Sequence, residues 1–390
     1  MSLQTLTLRR GLLIAGIVLI AVNLRPALSS VGPLVESIRA ATGLSNAAVG
    51  FLTTLPLLAF GVVSTLTPLV TKRIGVEGAL ALALGMVGVG AAMRGVPSVA
   101  LLFGGTALFG IGIALGNVLL PTLVKRDFPD RSGPMTSLYS SVMGLGAALA
   151  AGTSVPLATT FGWRGSLAFW AIPAVIALAV WLPQLKGQLR TQPSRSVGAA
   201  LQSLGTSKLA WQIALFMGLQ SLTFYVILAW LPDLLQSRGM GAAEAGWLLA
   251  LSQAAGIAGS AIVPWFASGR NDLRALVGGL AALEAVSLTG LSLPGGLFAA
   301  FWVSLLGFVL GGTFGLALLF LVLRANGTEG ATELSGMAQS VGYLLAATGP
   351  TGFGIVHDMT GGWTLPLLLL IGIVAVKTLL GFGAGKPGTV

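Results

Sequence analysis

Long apolar runs alternate with short polar breaks along the whole chain, and twelve of the runs read as membrane-crossing helices. A crossing helix needs about 20 apolar residues to traverse roughly 30 Å of hydrocarbon. The expected spans are 11–36, 46–70, 78–93, 98–123, 134–158, 166–184, 209–232, 244–266, 275–291, 297–323, 334–356 and 363–382. The third and ninth are short, so they tilt little or extend into their loops. The pattern predicts an all-α integral membrane fold.

The runs repeat. Residues 47–68 and 243–264 match at one offset, pairing Ala47 with Ala243, Gly50 with Gly246, Leu52 with Leu248, Leu55 with Leu251, Ala59 with Ala255, Ser64 with Ser260 and Pro68 with Pro264. Phe161-Gly162-Trp163-Arg164 is answered by Gly361-Gly362-Trp363-Thr364. The chain therefore reads as a tandem duplication with six spans per half, an architecture found among secondary transporters. We expect one six-helix bundle over 1–184, a polar linker over 185–208 that contains Pro193, Ser194 and Ser196, and a second bundle over 209–390.

Composition agrees with immersion in lipid: 8% of residues are charged and 55% hydrophobic, against about 25% charged in an ordinary soluble domain. The net charge of +10 does not point to nucleic acid, because Lys and Arg sit in short breaks rather than on a water-facing element. Cysteine is absent and histidine occurs once, so a thiol nucleophile, a disulfide framework or a metal cluster has no material, and no cofactor is expected. A Gly-rich loop ending in Lys-Ser/Thr is missing too, which removes direct ATP drive. Met1–Arg10 imitates the basic start of a secretory signal, but no small-residue cleavage site precedes Asn23-Leu24-Arg25-Pro26, and the segment is read as retained in one long first span, with no soluble domain appended.

With both termini inside, sixteen Lys and Arg fall on the inner side and four (Arg39, Arg94, Arg164 and Arg238) on the outer, with Arg25 inside a span. That bias predicts cytoplasmic termini for a multi-pass protein of a plasma membrane. The inner sixteen include Arg9, Arg10 and Lys377. A charge at mid-span costs about 2.5–3.5 kcal/mol on insertion scales, so Arg25 should face the bundle interior, against either a substrate anion or a fixed acid. Glu284 is the other charge well inside a span, as a carboxyl hydrogen-bonded between helices or a proton site. The many glycines of the fourth and tenth spans, among them Gly110, Gly112, Gly311 and Gly315, allow close helix packing; Pro56, Pro121 and Pro173 offer points of bending.

Three stretches carry a family resemblance: Asn23-Leu24-Arg25-Pro26 with Gly32-Pro33, Gly110 to Pro121 leading into Lys125-Arg126-Asp127-Phe128-Pro129, and Gly218-Leu219-Gln220-Ser221 through Tyr225 to Trp230-Leu231-Pro232. They are similar to the cyanate/2-nitroimidazole transporter branch of the major facilitator superfamily. The resemblance implies two pseudo-symmetric six-helix bundles, alternating access, and a cavity lined by spans 1, 4, 7 and 10 with 2, 5, 8 and 11 beside them. On that order the substrate-binding candidates are Asn23, Arg25, Asn117, Tyr139, Gln220, Tyr225, Gln253, Gln339 and Tyr343. Gln339 and Tyr343 share a helix stripe. Trp230 and Phe314 are candidate apolar walls. The acidic latch of the superfamily's second-to-third loop is replaced here by Lys72-Arg73, and Arg270 with Asp272 occupies the equivalent loop of the second half, so gating is expected to use other pairs. The implied protein is a non-enzymatic carrier of a small anion or polar nitroheterocycle, working as a monomer in lipid without nucleic acid. Its rivals are a proton-driven multidrug exporter and a membrane sensor.

Overall fold

The computed structural model describes residues 3–187, 204–267, 269–293 and 298–390. Most of the expected linker, 188–203, lies outside the described residues, as do the side chains of Arg9, Arg10, Ser64 and Pro68.

All regular structure among the described residues is helical. The first crossing is built from α1 (Leu3–Asn23), α2 (Pro26–Ser29) and α3 (Val35–Thr42), and α4 (Asn46–Met93) supplies the second and third crossings. The fourth is α5 (Val99–Asp127); α6 (Ser132–Phe169) and α7 (Ala171–Trp181) supply the fifth and sixth. In the second half, α8 (Lys208–Gln236), α9 (Ala242–Ala267), α10 (Arg274–Leu291), α11 (Ala299–Leu323), α12 (Gly327–Thr360) and α13 (Thr364–Gly385) are the seventh to twelfth. Ten helical segments among the described residues are long and apolar enough to span a bilayer, one of which, Pro134–Leu185, contains both the fifth and sixth crossings.

The duplication is visible in the backbone. Left-handed glycines, the residue that takes positive φ without steric cost, close matching turns in the two halves. Gly43 (φ 69°) corresponds to Gly239 (φ 90°), Gly75 (φ 72°) to Gly269 (φ 79°), and Gly162 (φ 71°) to Gly361 (φ 67°). Gly75 and Gly162 break the otherwise continuous α4 and α6.

Glycine also sets how closely helices approach. A Cβ on Gly259 would lie 1.9 Å from the carbonyl oxygen of Phe308, and one on Gly311 1.9 Å from that of Gly256, so α9 and α11 meet backbone to backbone. In the first half a Cβ on Gly112 would come within 2.5 Å of Ala83 O. In lipid such contact supplies the dispersion energy that a hydrophobic effect cannot.

The first crossing departs from the expected single long helix. Pro26 and Pro33 each lack an amide hydrogen and crowd the preceding turn, and the helix breaks at Arg25 and again before the 3₁₀ turn Gly32–Leu34. Broken backbone at membrane depth survives where neighbours satisfy it. Asn23 Nδ2 donates to Leu19 O (2.7 Å) and to Pro173 O of α7 (3.2 Å). Ala27 O accepts from Arg94 Nη1 at 2.9 Å.

The two halves share one apolar core, in which Leu28, Leu52 and Phe60 of the first half pack with Leu231, Ala346 and Phe353 of the second. A separate core of Phe216, Val277, Leu316, Phe320 and Leu334 belongs to the second half alone. Contacts between the halves are close at the face opposite the one where α1 begins and α13 ends. There Thr54 Oγ1 donates to Ala347 O (2.8 Å), Thr351 Oγ1 donates to Thr54 Oγ1 (2.9 Å), and a Cβ on Gly50 would meet Pro350 O at 2.4 Å.

Two basic residues leave the boundary positions assigned from sequence. Arg94 is fully buried, its guanidinium 4.9 Å from the Phe109 ring centroid. Lys377 is 2% exposed inside the second half. Both apolar stems let the charge reach inward to a partner or ring face rather than outward to water.

Candidate functional site

The break before Pro26 turns Arg25 out of the helix register, with φ −125° and ψ −33°. Its side chain, half-buried, crosses from the first half to the second. The guanidinium carbon stands 5.7 Å from the Phe224 ring centroid on α8. Tyr225, the next residue, and Tyr343 of α12 both lie within electrostatic reach of Arg25. Tyr343 in turn meets Phe60 of α4 edge to face, centroids 5.3 Å apart. Two of the chain's three tyrosines thus converge on its one mid-span arginine. No carboxylate pairs with Arg25 among the described residues.

That geometry separates the sequence candidates into groups. Arg25, Tyr225 and Tyr343 come together between the halves. Asn117 on α5 is half-buried, and Gln253 on α9 is buried; neither makes a hydrogen bond among the described residues. Tyr139 on α6 is 9% exposed and sits beside Thr136 and Ser140 on its own helix. Phe314 on α11 packs against the second-half core.

Other candidates are engaged elsewhere. Asn23 joins α1 to α7, as described above. Gln220 uses both ends of its amide within the second half: Nε2 donates to Leu310 O (3.1 Å), and Oε1 accepts from Ser221 (3.2 Å). Gln339 is exposed and donates to Ser335 Oγ on its own helix at 2.8 Å, so it shares a stripe with Tyr343 without joining the cluster. Trp230 is 2% exposed, gives its indole N–H to Pro350 O at 2.9 Å, and lies 5.4 Å from Trp363. It belongs to the sealed end.

Glu284 pairs with Lys377, both carboxylate oxygens within reach of Nζ at 2.7 and 2.5 Å, and the two side chains are 0% and 2% exposed. The alternative of an Arg25–Glu284 pair is therefore excluded. Lys377 was discoverable by the reasoning applied to Arg25, since it too interrupts an apolar run.

The loop residues also sort differently from the expected gate. Lys72, Arg73 and Arg270 are exposed. Asp272 binds Arg274 (2.5 Å), not Arg270, and this holds its carboxyl at about 2. The ordered ionic network of the first half is Glu77–Arg126–Asp127, with contacts of 2.7 and 2.8 Å. Arg324, at the corresponding place in the second half, instead bonds the carbonyls of Ala384, Gly385 and Asn271 at 3.0–3.1 Å.

At the sealed face, residues that sequence reading missed bind the halves together. Asp358, near the end of α12, receives hydrogen bonds from the first amides of α4, Asn46 N (3.2 Å) and Ala47 N (2.9 Å), and from Asn46 Nδ2 (2.7 Å). The other Asn46 amide hydrogen reaches His357 Nδ1 at 3.0 Å. Burial alone would raise the Asp358 carboxyl; the hydrogen bonds from Ala47 and Asn46 outweigh it and hold the group below its ordinary value.

Comparison with known proteins agrees with this architecture. Residues 12–350 match the Major Facilitator Superfamily. The 2-nitroimidazole transporter of Escherichia coli (strain K12) is 44% identical over 379 residues, covering 97% of this chain and 96% of that protein. The cyanate transport protein CynX of the same organism is 29% identical, covering 92% and 94%. Among solved structures, a D-xylose-proton symporter superposes with a TM-score of 0.76 at 16% identity, covering 97% of this chain and 99% of that one. Twelve crossings in two duplicated halves and full-length likeness to transporters lead to one conclusion: the chain belongs to the major facilitator superfamily and is a multi-pass membrane transporter, not an enzyme.

Proposed function

We propose that this transporter moves a small, flat solute bearing paired acceptor atoms by alternating access, with Arg25 as its anchor. The observation that carries the reading is the position of Arg25: a half-buried guanidinium from one half, without a carboxylate among the described residues, facing Phe224 and near Tyr225 and Tyr343 of the other. A guanidinium offers a planar fork of donors that grips two acceptor atoms at once. A nitro group on a heteroaromatic ring presents such a pair, and the aromatic walls suit the ring. The 44% identity to the 2-nitroimidazole transporter supports a polar nitroheterocycle; a small monoanion such as cyanate is the second reading, supported by the likeness to CynX.

Asn117 and Gln253, without hydrogen bonds among the described residues, complete the proposed lining. The protein acts as a monomer in the bacterial inner membrane with both termini cytoplasmic, divided into bundles 1–184 and 209–390 by the linker 185–208. The sealed face is then the outer one. Isothermal titration of the detergent-purified protein with 2-nitroimidazole and with cyanate tests the substrate. Binding that Arg25→Ala abolishes is the expected result, and binding unchanged in that variant sinks the assignment. Orientation is read from cysteines at Ser194 and Gly362 in this Cys-free chain, which should label from opposite sides.

A further inference from the structure

The only histidine of the chain lies in the contact that closes the outer face, and its surroundings define its protonation state. Asp358 is an acceptor, so the Asn46 amide must turn its NH₂ toward it, at 2.7 Å. That orientation also places an N–H of the same NH₂ against His357 Nδ1, at 3.0 Å. The imidazole nitrogen can only accept there, which requires a lone pair on Nδ1 and hence the neutral ring. An imidazolium would set N–H against N–H. Turning the amide over does not relieve this, because Oδ1 would then face the Asp358 carboxylate. Asn46 is 1% exposed, which leaves water little room to intervene.

We propose that His357 is a proton-binding site through which the outer medium opens the transporter. A proton added to Nδ1 removes the Asn46–His357 bond and sets Asn46 against its own bond to Asp358. The closing contact between α4 and α12 weakens, and the halves part at that face. This rests on the alternating-access reading and moves the proton site from Glu284, whose carboxylate is held by Lys377, to His357.

Three carboxylates and one guanidinium lie near the ring. Asp358 stands on the same helix, Asp233 faces it from α8 and carries Trp363 Nε1 at 3.2 Å, and Glu36 and Arg39 approach from α3. The ring itself lies tilted against Trp363, centroids 4.5 Å apart. Histidine is the side chain whose ordinary titration falls between pH 5 and 8, and Asp358 stays ionised across that window.

The test uses the full chain in lipid nanodiscs with spin labels at Ala41→Cys on exposed α3 and Gly362→Cys, a position with nothing within 4 Å. Pulsed electron resonance then reads the separation of the halves. Lowering the pH from 8 to 5 should raise the wide-separation population at least fivefold. H357Q, which keeps an acceptor for Asn46 but cannot be protonated, should hold the narrow distribution at both pH values, and Asn46→Ala should be wide at both. A distribution that ignores pH, or a pH response that survives in H357Q, overturns the proposal. Widening on addition of 2-nitroimidazole at pH 8, without any response to pH, would keep the transport reading and discard the proton site.

Discussion

Two cations within the membrane-spanning helices face opposite situations. Lys377 sits within one half, clamped on both carboxylate oxygens of Glu284. Arg25 sits between the halves, facing rings and phenols and no carboxylate. A charge paired inside one rigid bundle holds that bundle together and has nothing left to offer a ligand. A charge without a carboxylate partner at the interface between the halves is available to a solute. The contrast is one of location in the duplicated fold, since both residues interrupt apolar runs in the same manner.

Breaking the clamp gives the largest expected effect. Removing one partner of a buried ion pair costs about 3–5 kcal/mol, because the other is left buried and uncompensated. Lys377→Ala or Glu284→Ala should each lower the Tm markedly in detergent, while Lys377→Met combined with Glu284→Leu should recover most of it. If either single change leaves the Tm unaltered and abolishes binding, the distinction drawn between the two cations fails.

Arg25→Lys probes the other side. It keeps the charge and loses the fork, so affinity for 2-nitroimidazole should fall at least about tenfold, or roughly 1.4 kcal/mol, with the Tm near that of the parent. Titration and thermal unfolding of the same sample separate these readouts.

A smaller effect is expected at the sealed face. Trp230→Phe deletes the bond to Pro350 O at a net cost of about 1 kcal/mol and should increase labelling of an outer-face cysteine without changing ligand affinity in the opened form. Smallest is the acid dependence of Asp358. Its carboxyl lies below the ordinary value, so its contribution is complete above the usual carboxylate range and is lost as pH falls through the lowered value. Thermal melts should show that acid-side loss in the parent, and Asp358→Asn should remove it.

The twelve crossings, the duplication and the mid-span position of Arg25 were legible in the sequence because lipid imposes them. Hydrophobic length sets crossings, and a mid-span charge must be explained wherever it falls. The matched stretches also marked the turns at Gly162 and Gly361, although the sequence register sets Gly162 against Gly362, one residue beyond the left-handed glycine of the second half. The chain alone could not say that Glu284 prefers Lys377 to Arg25, since sequence separation carries no information about which helices become neighbours. For the same reason Gln220 and Trp230 read as cavity groups, although packing of α8 against α11 and α12 consumes their hydrogen bonds.

Amino-acid pattern by itself determined the immersion in lipid, the two halves and the few polar groups able to do chemistry. Only the tertiary structure decided which of those groups are already satisfied and which remain to meet a solute. Hydrogen bonds and ion pairs are local in space. The partners of Arg25, Glu284 and His357 come from helices that only folding brings within 2.5–5.7 Å of them.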